Sequence, residues 1–244
     1  PMASGEDRPC DRRNLLQRLA LLSVACLSGP LPLAHGQTPA AVHKYSRTLL
    51  VDPFQRPLKS GQLSPGVPHV FNYPFESTPV FLMALPRAAE PVDLVDKERH
   101  HYQSLPGTGP QHRIVAYSAI CAHKLMYPTP QISFINIRKG QGDEPAHVVH
   151  CCGDNSRYDP TRGGKVISGP APQPLAMIVL EWEPSSDELH AVGTLGAEMF
   201  DAFFDKYEFR LTLDHGARAH ERSAPTSVVR TASSYSRQLQ SCRA

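Results

Sequence analysis

Two short segments of this chain carry side chains that bind metals. Cys121 and His123 are separated by one residue, Ala122, and follow the strand-like run "RIVAYSAI". Cys151 and Cys152 are adjacent and follow the strand-like run "AHVVH". Thiolates and imidazoles together are ligands for iron in proteins. The two segments therefore predict a metal site that is formed by two loops at the ends of two strands.

The overall composition excludes several classes of protein. Hydrophobic residues make up 41% and charged residues 20% of the 244 residues, as in ordinary globular proteins. A formal net charge of +2 gives no basic field that would attract nucleic acid. No window offers the ~20 apolar residues that a membrane-spanning helix needs. The six cysteines are too few and too unevenly spaced for a disulfide scaffold, and Cys242 is predicted to be a free thiol.

The N-terminal segment has the pattern of an export signal. The pair Arg12-Arg13 precedes a short apolar run, residues 19–33, which glycine and prolines interrupt. The run ends at Ala34-His35-Gly36, which suits cleavage before Gln37. This pattern predicts a twin-arginine (Tat) signal at 1–36 and a periplasmic protein, or a membrane-tethered one if the signal is retained. An ordinary secretory signal with an incidental arginine pair is the alternative.

Periodicity predicts an all-β fold with one helix. Short runs rich in Val, Ile, Phe and Tyr are bounded by Pro, Gly, Asp or Asn, as strands are. In one segment, Phe200, Phe203, Phe204 and Tyr207 fall at i, i+3, i+4 and i+7, which predicts a helix at about 196–207. The predicted strands are residues 67–75, 80–85, 113–120, 132–138, 147–151, 175–182, 189–195 and 209–213.

Composition also divides the chain into predicted regions. Residues 37–66 are rich in Pro, Gly and Gln and predict an irregular N-terminal arm. Residues 214–244 are rich in Ser, Arg and Ala and predict a flexible tail. The predicted domain between them is 67–213.

Two further motifs carry a resemblance to a known family. The runs "SRYD" at 156–159 and "GPAPQPL" at 169–175 follow the second loop, and "AICAHK" contains the first. Together they resemble the Rieske iron–sulfur proteins over about residues 113–195. That resemblance implies stacked antiparallel sheets whose two loops hold a [2Fe–2S] cluster, with thiolates on the buried iron and imidazoles on the outer iron. The implied cluster contacts are Ser156, Tyr158, Gly169, Pro170 and Pro172.

The second loop departs from the family's Cys-x-x-His pattern. One register places Cys151 at the cysteine and Asp154 at the histidine, and a one-residue slip gives Cys152 and Asn155. Neither register supplies a histidine. The disulfide that links the two loops in respiratory members would fall at Met126 and Gly153, so this bridge is absent as well.

Three explanations of the missing histidine stay open. In the first, the cluster is bound with an atypical fourth ligand, which is Asp154, both tandem cysteines, or His150 moved inward. An anionic ligand would lower the potential toward or below the bottom of the roughly −150 to +300 mV Rieske range. In the second, the cluster has been lost. In the third, the cysteines act as redox thiols, or Cys121 forms a disulfide with one of the tandem cysteines.

The retention of both loops and the proline loop favours the first explanation. The ligands are then drawn from Cys121, His123, Cys151, Cys152 and Asp154. The function that the resemblance implies is that of an exported electron carrier, not itself an enzyme, which exchanges single electrons with a cytochrome or with the catalytic subunit of a periplasmic oxidoreductase. The alternative is a degenerate domain without a cluster that serves as a docking subunit.

Overall fold

The structure, a computed structural model, describes residues 41–242, so the predicted signal at 1–36 lies outside it. The described residues form sixteen strands, two α-helices and two 3₁₀ turns. In chain order the strands are β1 (Val42–Val51), β2 (His69–Asn72), β3 (Pro79–Ala84), β4 (Asp93–Val95), β5 (His101–Gln103), β6 (Ile114–Ser118), β7 (Ile132–Ser133), β8 (Ile135–Lys139), β9 (His147–Cys151), β10 (Arg157–Asp159), β11 (Lys165–Ser168), β12 (Met177–Glu183), β13 (Glu188–Leu195), β14 (Thr226–Val228), β15 (Arg230–Thr231) and β16 (Gln238–Leu239). The helices are α1 (Phe200–His215) and α2 (Ala232–Tyr235), and the 3₁₀ turns are Ser60–Gln62 and Gly216–His220.

The main sheet has eight strands in the order β14-β1-β13-β12-β6-β3-β2-β15. Its pairs are antiparallel except for β14 on β1. The two edge strands, β14 and β15, are separated in the chain by Val229 alone, which donates its N–H to Val51. The sheet therefore curls until its two edges nearly meet.

A smaller antiparallel sheet, in the order β11-β10-β9-β8, packs against the main one. The shared core contains Val115 and Tyr117 from the main sheet and Val149 and Tyr158 from the smaller sheet, each at most 2% exposed. Alternate residues of a strand point to opposite faces, so each sheet turns one apolar row toward the other. The predicted all-β fold of stacked antiparallel sheets is confirmed.

Three loops meet where the two sheets end. The first follows β6, the second joins β9 to β10, and the proline loop joins β11 to β12. Two of these loops start in the smaller sheet and one in the main sheet. Their meeting point therefore depends on how the two sheets pack.

The C-terminal helix is longer than predicted. It begins at Phe200 and ends at His215, whereas Gly196 and Ala197 have φ of +63° and +51° and are not helical. Residues 209–213, predicted as a strand, belong to this helix. The apolar stripe continues at Leu211, seven residues after Phe204. Together with Phe203, these side chains pack against the first loop.

The predicted arm and tail are also ordered where the structure describes them. Residues 42–51 of the predicted irregular arm form β1, which pairs with β13. Residues 214–242 of the predicted flexible tail include β14, β15 and β16, which pair with β1, β2 and β7. A sheet ladder uses backbone groups, so Ser- and Arg-rich segments can join one without an apolar pattern. No helix within residues 41–242 is long and apolar enough to cross a membrane.

Two phenylalanines of α1 test its packing. Phe203 is fully buried and meets the Tyr127 ring edge-on at 4.9 Å, whereas Phe209 is 78% exposed. Phe203→Ala should lower the free energy of unfolding by about 3–5 kcal/mol, because it leaves a cavity beneath the first loop. Phe209→Ala is the matched control and should change it by less than about 0.5 kcal/mol. Urea unfolding measures both, and equal losses would show that α1 is packed differently.

Candidate metal centre

The first loop buries one donor and exposes another. Cys121 is fully buried, and its N–H and C=O bond to Met126 O and Leu125 N at 2.9 and 3.0 Å. These bonds close a turn in which Leu125 has φ of +58° and packs against α1. The turn aims the Cys121 thiol inward and leaves the side chain of His123 36% exposed.

The second loop forms a similar turn after β9. Cys151 is fully buried, its N–H donates to Ser156 O at 2.9 Å, and its C=O accepts from Asn155 N at 2.8 Å. Asn155 occupies the left-handed region with φ of +62°. The turn buries Asp154, whose side chain is only 2% exposed.

The two loops bring four potential ligands together. The ligand atoms of Cys121, Cys151 and Asp154 all lie within 4.8 Å of one another. Asp154 Oδ2 accepts from Cys121 Sγ at 3.4 Å and lies 3.0 Å from His123 Nδ1. Each loop therefore supplies one thiol, and the imidazole and the carboxylate complete the set. This arrangement corresponds to the register that aligns Asp154 with the missing histidine.

The pKa values of the two thiols and the carboxylate in the pocket are shifted in different directions. The hydrogen bond from Cys151 lowers the pKa of Cys121 despite its burial, and the same bond together with burial raises the pKa of Cys151. Burial acts to raise the pKa of Asp154, but hydrogen bonds from Ser156 and from the two thiols outweigh it and lower this pKa. Cys121 is thus the more acidic of the two thiols, and metal binding would displace the thiol protons, because cysteine binds metals as thiolate.

Tyr158 and Ser156 connect the site to its surroundings. The Tyr158 hydroxyl accepts from Ala122 N at 3.1 Å and lies 3.3 Å from Cys121 Sγ, so its own proton is free to point at the sulfur. Ser156 Oγ accepts from Ala171 N of the proline loop at 3.1 Å. This bond places the predicted proline loop at the rim of the site.

The proline loop requires a glycine where it meets the second loop. Gly169 has φ of +93°, and a Cβ there would lie 2.6 Å from Ser156 Cα. Pro170 and Pro172, on either side of Ala171, are exposed. Their contact with a cluster stays a prediction.

Cys152 is not available as a ligand in this structure, contrary to its inclusion in the predicted set. It forms a disulfide with Cys242, across 90 residues of chain, and its N–H donates to Phe134 O at 2.6 Å. The prediction that Cys242 is a free thiol is therefore wrong. Cys121 and Cys151 are free, so the proposed disulfide between Cys121 and a tandem cysteine is not formed either.

His150 and Asn155 are also directed away from the pocket. His150 Nδ1 accepts from Arg138 Nε at 2.8 Å, and His150 Nε2 lies 2.6 Å from Asn155 Oδ1. In the slipped register the two ligands would be Cys152 and Asn155. Neither is available, because Cys152 is in a disulfide and Asn155 is bonded to His150. Sequence reasoning missed the role of Arg138, which lies twelve residues away on the neighbouring strand β8.

Met126 and Gly153, the positions of the disulfide that links the two loops in respiratory members, face each other across the loops. A Cβ built on Gly153 would lie 2.7 Å from Met126 Cγ. The two loops thus approach so closely here that no side chain fits at position 153 unless Met126 moves. The disulfide of this chain instead ties the second loop to the C-terminal segment.

Known proteins match this arrangement in part. No family model matches the chain. The iodate reductase subunit IdrB of Denitromonas iodatirespirans is 30% identical over 197 residues, which cover 80% of this chain and 86% of that protein. The soluble domain of Rieske protein II (soxF) from Sulfolobus acidocaldarius is 25% identical over 62% of this chain and 78% of that one, with a TM-score of 0.44. The two loops, the sheets that carry them and the kinship with IdrB place this chain in the Rieske protein family.

The disulfide should contribute to stability through the long loop that it closes. A Cys242→Ser variant should unfold with a free energy about 2–5 kcal/mol lower, because the unfolded chain regains the freedom that a 90-residue closure removes. Urea unfolding measures the loss, and peptide mapping without reductant should recover Cys152 joined to Cys242. The double variant with Cys152→Ser should lose no more than the single one, and a clearly additive loss would contradict the pairing.

Proposed function

We propose that this protein is an exported electron-transfer subunit of an oxidoreductase, and that its two loops hold a [2Fe–2S] cluster. Cys121 and Cys151 would bind the buried iron, and His123 and Asp154 would bind the outer iron. The observation that carries the proposal is the convergence of one thiol from each loop with an imidazole and a carboxylate. When bound, the cluster would accept and release single electrons.

The burial of the four donors fits this role. Both thiols are fully buried, which keeps the inner iron away from water. The His123 side chain is 36% exposed and is the donor nearest to solvent, so it offers the route by which an electron would leave. Tyr158, with its hydroxyl 3.3 Å from Cys121 Sγ, would stabilise the reduced cluster by donating to the sulfur and so raise its potential.

Asp154 would set the potential in the opposite direction. A carboxylate adds a negative charge where the family has a neutral imidazole, and added negative charge disfavours the reduced state. The hydrogen bond from Ser156 N to Asp154 Oδ1, at 2.9 Å, helps to keep this residue ionised. We therefore expect a potential near or below the bottom of the roughly −150 to +300 mV range of histidine-ligated clusters.

Compartment and partner follow from separate observations. A structural disulfide is favoured in an oxidising compartment, and this agrees with the twin-arginine pattern of residues 12–13 in pointing to the periplasm. IdrB is a subunit of iodate reductase. By analogy, the partner here is the catalytic subunit of a periplasmic oxidoreductase or a cytochrome, with membrane attachment only if the signal is retained.

A second role, as a docking subunit without a cluster, has one observation in its favour. The Cys121 thiol and the Asp154 carboxylate hydrogen-bond to each other directly at 3.4 Å, so the pocket satisfies its own polar groups without a metal. Chemical analysis of the protein separates the two roles.

Iron and sulfide analysis of the protein from an iron-replete host is the decisive measurement. We expect a brown protein with about two irons and two sulfides, and an EPR signal upon reduction. Cys121→Ser should lose the iron, whereas Cys152→Ser, which removes a sulfur that is bonded to Cys242 and not directed at the pocket, should keep it. Colourless protein supports the docking role, and metal without sulfide would mean a single-ion site of the Cys₂–His–Asp type.

Exchange of the fourth ligand tests the assignment of Asp154. Asp154→His should raise the midpoint potential into the roughly −150 to +300 mV range, because a neutral imidazole replaces an anion. EPR-monitored redox titration measures this shift. Asp159→Asn is the control, since it removes the same charge from a buried residue of β10 and should shift the potential much less. Equal shifts in both variants would exclude Asp154 as a ligand.

A further inference from the structure

A polar network lies behind the second loop, on the side away from the metal pocket. At its centre is His150, which is 3% exposed and has a partner at each ring nitrogen. Arg138 approaches one nitrogen and Asn155 the other. Because a buried imidazole costs free energy unless it is paired, this complete pairing indicates a defined role in the fold.

The chemistry of the partners defines the tautomer of His150. Arginine is only a donor, so Nδ1 must be the acceptor of the 2.8 Å bond from Arg138 Nε. Nε2 then carries the proton and donates to Asn155 Oδ1 at 2.6 Å. Neutral imidazole with Nε2–H is the form that satisfies both bonds.

Arg138 is itself held in place. Its two terminal nitrogens bind both carboxylate oxygens of Glu144, at 2.6 and 2.9 Å, in a bidentate ion pair. Arg157 binds the same carboxylate at 3.1 Å. The hydrogen bonds from Arg138 lower the pKa of Glu144 to about 2, so the pair stays charged at any ordinary pH.

Asn155 is the residue through which this network reaches the site. It adopts φ of +62°, a conformation that glycine takes freely and other residues take at a cost, asparagine at less than most. Its N–H closes the turn on Cys151 O at 2.8 Å, and the next N–H, that of Ser156, binds Asp154 Oδ1 at 2.9 Å. Rotation of Asn155 out of this conformation would therefore release the Asp154 carboxylate.

We propose that His150 is a positioning residue of the metal centre. It anchors the Asn155 side chain to the rigid β8–β9 hairpin, and the anchored Asn155 holds the turn that directs the Asp154 carboxylate toward His123 and Cys121. The assignment of Asp154 as a metal ligand rests on the proposed function. The anchoring itself is a property of the chain and is measurable without a metal.

A double-mutant cycle separates this role from a general contribution to stability. His150→Leu removes the anchor, and Asn155→Gly removes the need for it, because glycine adopts the left-handed turn unaided. If His150 acts through Asn155, its loss should matter in the natural chain and matter little in the Asn155→Gly background. His147→Leu, the same substitution at the other end of β9, is the matched control.

The first readout uses the full chain after removal of metal with a chelator. Amide hydrogen exchange at Asn155 and Ser156 should become about tenfold faster in His150→Leu, as expected for one lost buried hydrogen bond. It should remain unchanged in His147→Leu. In the Asn155→Gly background, His150→Leu should produce no further change at Ser156. Nitrogen-15 shifts should show His150 protonated at Nε2.

The second readout uses the iron-loaded protein. His150→Leu should shift the EPR g-values and the midpoint potential without loss of iron. In the double variant with Asn155→Gly, the g-values and the potential should return to those of Asn155→Gly alone. Arg138→Gln keeps the histidine but replaces its charged donor at Nδ1 by a shorter, neutral amide. It should reproduce a smaller shift, and it serves if His150→Leu does not fold.

The two readouts distinguish the failures. A chain that binds no cluster but shows the predicted exchange pattern overturns the proposed function and keeps the anchoring role. Unchanged exchange at Ser156 in a folded His150→Leu or Arg138→Gln protein overturns the anchoring role, whatever the iron content. An equal effect of His150→Leu in both backgrounds also overturns it, because it would show that His150 acts on stability alone.

Discussion

The geometry of the candidate metal site depends on the hydroxyl of Tyr158, which joins the two sheets at the point where their loops meet. Tyr158 belongs to the smaller sheet, yet its oxygen binds Ala122 N and reaches Cys121 Sγ on the loop that follows β6 of the main sheet. The residue is fully buried, so these bonds form in a medium where electrostatic interactions are strong. This link, together with the bonds of Asp154 to Cys121 and His123, fixes the donors of the first loop relative to those of the second.

The replacement of an imidazole by a carboxylate changes what the surrounding protein must do. An ionised carboxylate costs more to bury than a neutral imidazole, and it needs donors to offset its desolvation. Asp154 has such donors from both loops, Ser156 N on its own side and His123 Nδ1 on the other. The residue thus connects the loops electrostatically where respiratory relatives use a disulfide, while the disulfide of this chain, Cys152–Cys242, fastens the second loop from behind.

Patterns confined to neighbouring residues could be predicted from the sequence, and long-range pairings could not. The strands near 114–118, 147–151 and 177–182, the aromatic stripe of α1 and the order of the three loops all follow from local periodicity and motifs. The pairing of Cys152 with a partner 90 residues away has no local signal. The strands after residue 214 were missed because their ladders rest on backbone groups that Ser and Arg possess as fully as Val does.

The alternation of side chains along β9 explains why His150 lies beside the site but not in it. Alternate residues of β9 point to opposite faces. Cys151, at the end of the strand, faces the core shared by the two sheets, whereas His150 lies on the opposite face, where Arg138 of β8 binds it. A histidine at 150 cannot reach the pocket without reversing the register of β9 and taking Cys151 out of it. The hydrogen bonds that hold His150 to Arg138 and Asn155 oppose any such shift, and the side chain that this loop turns toward Cys121 and His123 is instead Asp154.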